Sequence, residues 1–417
     1  MKKLFMFLCM LGLIFSLTSP LIAGGIDNKH NYSAEYIRTL NRNAATDSAD
    51  AVAYNPAGVM RMEDGLYLNL SAQYPTKTYS NTVGGIDYED DEPNIIPGLF
   101  ALYKKDRWAG FAAFTIPAGG GTIKYERGNA TTLTLGQGYM AAVNALAGAA
   151  LYDNIKNQRL EAESVYHGYT VGGAYALSDM VSISLAARYI DAQKEAQGSV
   201  TISPSALGTA LGQPDRTAEI DYEQSDDGCG GIVGINIAPT EELNMGIRYE
   251  TKTGLDLEYN VKKDDLGLYT HGEKENRDLP ALLGLGVAYK ITPAVKLEAS
   301  FVYYLNEDAD WSATRLQNVD NGYDMGIALE YTFNPQLKGS LGYLYTETGI
   351  DADNMLPEAP ELDAHSVAAG VCYEAIPGLS LNVGLGRTFY LEETTSSGVK
   401  YNKEVTGIVF GIQYKFK

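Results

Sequence analysis

Many segments of the chain alternate between apolar and polar residues with a period of two. In ELNMGIRYETKTGL (242–255), the odd positions carry Leu, Met, Ile, Tyr and Thr, whereas the charged residues occupy even positions. The stretches VKLEASFVYYL (295–305) and LSLNVGLG (379–386) repeat this alternation. Because successive side chains of a strand point to opposite faces, the pattern predicts β-strands with one apolar and one polar face.

Six tight reversals separate these strands and alternate with seven longer polar connections. The reversals are Lys104–Asp106, Leu177–Asp179, Ala238–Glu241, Lys290–Pro293, Asn334–Pro335 and Glu374–Pro377. This alternation predicts fourteen antiparallel strands, over residues 66–80, 95–103, 107–117, 165–176, 180–194, 216–238, 242–260, 278–290, 294–309, 322–332, 336–348, 362–373, 378–392 and 404–416. An even number of strands places both ends of the array on the tight-turn side, which we expect to face the periplasm.

The apolar face of these strands would be buried in a soluble sandwich but would contact lipid in a membrane barrel. A tyrosine in the outward register stands before five of the reversals: Tyr103, Tyr175, Tyr289, Tyr331 and Tyr373. Such a row is typical of an aromatic belt at a membrane interface. The chain also has 30 Tyr and 44 Gly. We therefore predict an all-β fold, a closed fourteen-stranded antiparallel transmembrane barrel in a bacterial outer membrane, over residues 66–417.

The start of the chain predicts export. Lys2 and Lys3 precede the apolar run LFMFLCMLGLIFSL, so residues 1–23 are predicted to be a signal peptide. Removing them leaves 30 basic and 52 acidic residues, a formal charge of −22, which argues against a nucleic-acid partner. Cys229 and Cys372 then remain, on strand positions of opposite parity, so a disulfide between them is not expected.

Residues 24–65 precede the first strand and show no alternation. Fourteen strands enclose more space than the lining side chains can fill, so this segment is predicted to be a hatch that plugs the lumen. Asn55 with Pro56 fits the start of a short helix that ends near Gly58. The small residues of the segment suit close packing inside a wall: Ala44, Ala45, Ser48, Ala49, Ala51 and Ala53.

The residues that usually carry catalysis or bind metals are sparse. His167 and Ser164 are close in sequence but do not have the spacing of a hydrolase, so no enzyme, cofactor or metal is predicted. The acidic loop segments DYEDDEP and DADN admit a calcium site, but a solvated run of charge explains them better. The loop 118–163 is different, because Met140, Val143 and Leu146 would form the apolar face of a helix at the exposed rim.

The quoted sequences resemble the FadL/TodX family of outer-membrane transporters of long-chain fatty acids and other hydrophobic compounds. The resemblance covers the mature chain and rests on YNPAG (54–58), on FTIP (114–117), and on the long stretches 226–258, 278–312 and 356–386. It implies a barrel plugged by an N-terminal hatch, a kink in the third strand that opens the wall sideways, and a capture groove on the third extracellular loop.

The resemblance also assigns roles to individual residues. The hatch elbow would be Asn55, Pro56, Ala57 and Gly58; the kink would be Phe114, Ile116 and Pro117; and the groove would include Met140, Val143 and Leu146. For the carboxylate of a ligand, the lumen-facing cations Arg188 and Arg248 are candidate contacts, because a buried charge needs a partner. The alternative for both arginines is pairing with a lumen acid such as Glu250.

The predicted function is passive uptake of long-chain fatty acids or other hydrophobic compounds by a monomer surrounded by outer-membrane lipid. The alternative is a non-selective porin in which the N-terminal segment is a loose tail. The two differ in conductance, since a plugged barrel passes little current and a porin opens widely.

Overall fold

The computed structural model describes residues 29–91 and 93–416, so the predicted signal peptide lies outside the described residues. The strands are β1 (Gly65–Val83), β2 (Ile86–Asp90), β3 (Ile96–Lys105), β4 (Trp108–Tyr125), β5 (Tyr152–Ala176), β6 (Val181–Pro204), β7 (Arg216–Ile237), β8 (Leu243–Glu250), β9 (Asp256–Asp264), β10 (Lys274–Asn276), β11 (Ala281–Thr292), β12 (Val295–Leu305), β13 (Gly322–Asn334), β14 (Leu337–Glu347), β15 (Ala364–Ile376), β16 (Leu379–Tyr390), β17 (Glu393–Thr394) and β18 (Lys400–Phe416). The α-helices are α1 (Ala34–Thr39), α2 (Ala130–Ala147) and α3 (Ala206–Ala210).

The strands form one closed antiparallel barrel, which confirms the predicted fold. We call the fourteen strands that make up the barrel wall its staves. The staves follow the order β1, β3 to β8, β11 to β16 and β18, and β18 returns to pair with β1 from Leu66–Phe416 to Thr82–Lys400. The short strands β2 and β17 add to stave edges, and β9 and β10 extend the wall above β8 and β11. Over residues 29–91 and 93–416, closure leaves no open sheet edge for lipid to meet, as a membrane barrel requires.

The stave predicted over 242–260 is interrupted in the structure. After β8, residues 251–255 leave the regular ladder, and the chain resumes as β9, which pairs with β7. Thr253 forms a single bridge to Leu279, and the Asp278 carboxylate accepts the Leu255 backbone N–H at 3.0 Å. A side-chain acceptor thus replaces ladder partners at this bend, which alternation alone does not reveal.

The strands β5 and β6 are much longer than predicted on the extracellular side, whereas β7 closely matches its predicted range of 216–238. The two longer strands contain 25 and 24 residues: β5 already begins at Tyr152 instead of at 165, and β6 continues to Pro204 instead of ending at 194. The predicted loop 118–163 therefore contains the end of β4, helix α2 and the first part of β5. In the stretch KNQRLEAES both strand faces carry polar residues, because this part stands in water and has no apolar face to show.

The outer surface of the staves is apolar and ends in tyrosines near the tight turns. The five tyrosines of the predicted belt are between 43 and 48 % exposed, on the side where the hairpins are short. Among the described residues, no helix is long and apolar enough to span a membrane.

Residues 29–64 fill the lumen near the tight turns, and nearly all of them are buried. Helix α1 begins where the Ser33 side chain accepts the Tyr36 N–H, and it ends at Leu40 in a left-handed conformation. Two short 3-10 helices follow, Ala49–Ala53 and Pro56–Arg61. We call residues 29–64 the plug.

Candidate functional site

The wall of the barrel is interrupted at β4. Its ladder with β3 ends at the pair Leu99–Phe114, and its register with β5 shifts twice, between Thr115 and Ala118 and again between Ala118 and Gly121. Two local features explain the break. Pro117 has no N–H to donate, and Gly119 and Gly121 adopt positive φ angles of 96° and 69°.

The first residues of the plug lie at this break. The Lys29 backbone N–H donates to the Pro117 carbonyl at 2.8 Å, and the Tyr32 carbonyl lies so close to Gly98 on β3 that no Cβ would fit there. The Tyr54 hydroxyl accepts the Tyr32 N–H at 2.8 Å and donates to the His30 carbonyl at 2.7 Å. We call residues 29–32 the strap, since they span the gap between β3 and β4.

Apolar side chains pack at the break. Ile96, Ile116 and Val165 form a small buried cluster, and Phe114 packs against it. The ring of Phe114 also lies 5.2 Å from that of Tyr169 on β5. The predicted kink residues Phe114, Ile116 and Pro117 are thus brought together at the interruption.

A cavity of about 410 Å³ lies in the extracellular half of the lumen. Gly119, Gly120 and Gly121 form part of its wall, so it reaches the break in β4. Its aromatic lining is Tyr79, Tyr222, Tyr259, Tyr269 and Tyr390. The volume falls within the range of about 300–1,000 Å³ that is common for small-molecule sites.

Charged side chains of both signs also line the cavity: Lys29, Lys194, Arg277, Arg315, Lys403, Glu163, Glu195, Glu275, Glu358 and Glu361. The Lys403 Nζ atom lies between two rings, 4.4 Å from the centroid of Tyr79 and 4.7 Å from that of Tyr390. Arg315 pairs with Glu361 at 3.0 Å. The cavity can therefore hold an apolar molecule that also carries a polar or charged group.

Arg188 and Arg248 lie elsewhere, between the plug and the wall. Both contact Glu250, at 2.7 Å and 3.2 Å, which is the pairing considered as their alternative role. Arg248 also donates to the Ala53 carbonyl of the plug and lies 3.5 Å from the His30 ring. Other side chains line the cavity, so a contact of these arginines with a ligand remains a prediction.

The predicted elbow of the hatch lies against β6 and β7. The Asn55 side chain donates to the Ala45 carbonyl at 3.1 Å and to Asn236 at 2.8 Å, and the Ala57 carbonyl accepts from the Ser182 hydroxyl at 2.7 Å. Pro56 opens the second 3-10 helix, and at Gly58 a Cβ would collide with the Asn55 side chain.

Helix α2 stands on the extracellular side of β5 and β6. Asn129 caps it by accepting the Thr132 N–H at 3.0 Å, and Gly148 ends it. No residue between 128 and 152 is charged. The three predicted groove residues differ in exposure: Met140 and Val143 are half-buried, whereas Leu146 is 90 % exposed.

Lys403 and Tyr79 were not among the sequence candidates. The predicted last strand began at residue 404, and the observed β18 begins at Lys400. Extending that strand by four residues at its start places Lys403 in the lumen register with Val405. The signal that could have found Lys403 is therefore the true start of the last strand.

Comparison with known proteins fits this geometry. The family model described as outer membrane protein transport protein (OMPP1/FadL/TodX) matches residues 16–417. The chain belongs to this family. No curated protein sequence gave a significant match. The OMPP1/FadL/TodX match places the protein in the bacterial outer membrane, in a family that includes transporters of hydrophobic compounds rather than enzymes.

Solved structures show the same fold. A FadL homologue from Pseudomonas aeruginosa is 14 % identical, with 96 % of this chain and 100 % of that chain covered and a TM-score of 0.66. The Pseudomonas putida toluene transporter TodX is 16 % identical, with 94 % and 100 % covered and a TM-score of 0.64. The Ralstonia pickettii toluene transporter TbuX is 16 % identical, with 91 % and 99 % covered and a TM-score of 0.62. At these identities, the similarity to FadL-type structures concerns the fold alone.

Proposed function

We propose that this protein takes up long-chain fatty acids or other hydrophobic compounds passively across the outer membrane. The observation that supports the proposal most directly is the cavity of about 410 Å³, which is lined by tyrosines and extends to Gly119–Gly121 at the interrupted strand. A hydrophobic molecule in this cavity would already be next to the break in the wall, with the strap as the remaining obstacle.

The proposed route starts at helix α2, where Met140, Val143 and Leu146 would receive the molecule from outside. It continues through the cavity to the break, which the kink residues Phe114, Ile116 and Pro117 border. The apolar cluster there suits sideways release into the membrane, since a hydrophobic molecule loses free energy when it leaves water. Uptake down a concentration gradient needs no further energy source.

We propose Lys403 as the cation for an acidic head group. A carboxylate that enters the cavity needs compensation, because burying a charge without a partner is costly. Lys403 is held by two ring faces, and Arg188 and Arg248 remain second candidates because Glu250 already contacts both. TodX and TbuX are toluene transporters by name, and the charged lining here favours a compound with a polar group instead.

The Lys403→Met variant tests the head-group proposal, with Lys262→Met as the control. Lys262 lies on β9 and pairs with Glu223 in an exposed position. We expect Lys403→Met to lower uptake of a radiolabelled fatty acid about tenfold, about the effect of one lost charged hydrogen bond, and to leave toluene uptake unchanged. Equal fatty-acid uptake by both variants would contradict the role of Lys403.

Two further measurements test uptake itself. Mass spectrometry of organic extracts should find a co-purified hydrophobic molecule, and planar-bilayer recordings should show little current. Large, steady openings would favour the alternative of a non-selective porin. The plug argues against that alternative, because it is fixed by buried ion pairs. Arg38 of the plug pairs with Glu330 on the wall, and Arg42 pairs with Asp50 within the plug.

A further inference from the structure

One carboxylate of the plug is buried without a cation of its own. Glu35 on α1 is 2 % exposed. Its Oε1 atom accepts three hydrogen bonds, from Ser48 at 3.0 Å, Asn69 at 2.6 Å and Asn382 at 3.0 Å. Its Oε2 atom has no hydrogen-bond partner among the described residues. The two oxygens therefore differ, as in a carboxylic acid that carries its proton on one side.

Glu35 lies where the plug meets several strands. Asn69 belongs to β1 and Asn382 to β16, while Gln413 on β18 accepts the Ala49 N–H at 2.6 Å and is the alternative acceptor, at 2.9 Å, for the single hydroxyl hydrogen of Ser48. The charge state of this one side chain thus acts on the contact between the plug and three staves.

The cations near Glu35 are committed to other acids. Arg42 binds Asp50 at 2.5 Å and Asp47 at 2.8 Å, and Arg38 binds Glu330 at 2.5 Å. The charged or titratable groups that surround the site are Arg38, Arg42, Asp47 and Asp50 on the plug, Lys296 on β12, Glu330 on β13, Lys338 on β14, and Cys372 and Glu374 on β15. Burial, and next the Asp50 carboxylate, raise the pKa of Glu35 from 4.5 to about 7.

A small pocket connects this site to the tight-turn side. It has a volume of about 120 Å³ and is lined by Glu35, Ser48, Asn382 and Gln413 together with residues of two turns, among them Gln336 and Glu374. These turns lie on the side predicted to face the periplasm. Water and protons therefore have a short path to the carboxyl group.

We propose that Glu35 is a proton-binding site, open to the periplasm, that holds the plug in the barrel when protonated and loosens it when ionised. A protonated Glu35 keeps its three acceptor bonds without a buried charge. An ionised Glu35 would be a buried carboxylate with one unpartnered oxygen, and it would gain solvation if the plug moved outward. The proposal concerns the seating of the plug and stands whether or not the ligand is a fatty acid.

The sign of the pH effect follows from linkage. The seated plug has the higher pKa, so it binds more protons than a released plug in which Glu35 has its ordinary value. The stabilisation of the seated state is complete below pH 4.5 and is lost as the pH rises through about 7. Between pH 5.5 and 8.5 the opening equilibrium of the plug should rise roughly 30-fold from this one group.

Hydrogen exchange of the full-length protein in lipid nanodiscs tests the proposal. The backbone amides of α1 are followed at pH 5.5 and pH 8.5, and the rates are corrected for intrinsic exchange. We expect the wild type to lose protection about 30-fold, with a midpoint near pH 7. Protection that does not change with pH, or a midpoint near 4.5, would overturn the proposal without any variant.

Two variants identify the group responsible. Glu35→Gln keeps an acceptor oxygen and stays neutral, so its plug should remain protected at both pH values. Glu63→Gln changes an exposed acid of the same plug and should keep the full pH dependence of the wild type. A Glu35→Gln protein that retains the pH dependence would assign it to another group and refute the role of Glu35.

Discussion

Two sides of the barrel hold the plug in different ways. On the side of β12 to β16 the ladders run without a break, except for bulges next to the tight turns, and the plug is bound through Arg38 to Glu330, Ser340 and Asn382. On the side of β3 to β5 the ladder stops at Phe114, and the strap contributes the backbone hydrogen bond from Lys29 to Pro117.

The difference suggests where the plug can move. Losing one partner of a buried ion pair costs about 3–5 kcal/mol, whereas a single neutral hydrogen bond contributes about 1 kcal/mol net. The strap is also held by neutral hydrogen bonds of Asn31 to Gln73 on β1 and of His30 to Tyr304 on β12, whereas α1 adds the buried ion pair of Arg38. We therefore expect the strap to open at lower free-energy cost than α1 can leave its side of the wall. The side with regular ladders anchors the plug, and the side with the interrupted ladder only covers an opening.

Removing Arg38, which anchors the plug to the wall, should have the largest effect on the stability of the seated plug. Arg38→Met leaves Glu330 with Lys296 at 3.2 Å and Lys338 at 3.7 Å, so we expect a loss near the lower end of the range, about 3 kcal/mol. Hydrogen exchange of α1 amides measures the loss, and bilayer current should increase. Arg387→Met, which removes an exposed pair with Glu404, is the control and should cost less than about 1 kcal/mol. Equal effects of the two variants would refute the anchoring role of Arg38.

Blocking the break in β4 with a bulky side chain should have the next largest effect, a loss of uptake. Gly120 lines the cavity beside the break and has no atom within 4 Å of an added Cβ, so Gly120→Phe places a ring in the route. We expect uptake to fall about tenfold, equivalent to about 1.4 kcal/mol. Gly110→Phe is the matched control, since Gly110 is on the same strand, has similar free space and has the outward parity of Phe114. Uptake that falls equally in both would exclude this route.

Loosening the strap should have the smallest effect. Tyr54→Phe removes the hydroxyl that joins the Tyr32 N–H and the His30 carbonyl, at a cost of about 1 kcal/mol. Exchange of amides in the strap should rise about fivefold, while α1 keeps its protection. Tyr74→Phe on the outer surface should change neither. Loss of protection in α1 as well would mean that the plug opens as one unit, against the comparison drawn above.

Much of the fold could be predicted from the sequence because a membrane barrel imposes a strict local rule. Each stave must show lipid an apolar face, so alternation, tight turns and the tyrosine row were sufficient for fourteen strands. The rule fails where strands leave the membrane, which is why alternation predicts a loop for the extracellular half of β5. There both faces meet water and the period of two carries no apolar signal.

The candidate site was predictable in part. The family resemblance pointed to FTIP, where the ladder between β3 and β4 ends at Phe114. Asn55 and Pro56 predicted the start of a short helix, and the second 3-10 helix begins there. Lys403 between Tyr79 and Tyr390 was missed, as were the contacts of Glu35. These arrangements join residues more than 300 positions apart, and no local pattern encodes such a pairing.

The sequence by itself determined the strand count, the outward face and the presence of a segment available to fill the lumen. Only the tertiary structure decided which wall residues hold that segment, because barrel closure brings β1, β16 and β18 around one carboxylate. Alternation fixes the direction of a side chain relative to its own strand. Its partner across the lumen depends on the register of all fourteen staves together.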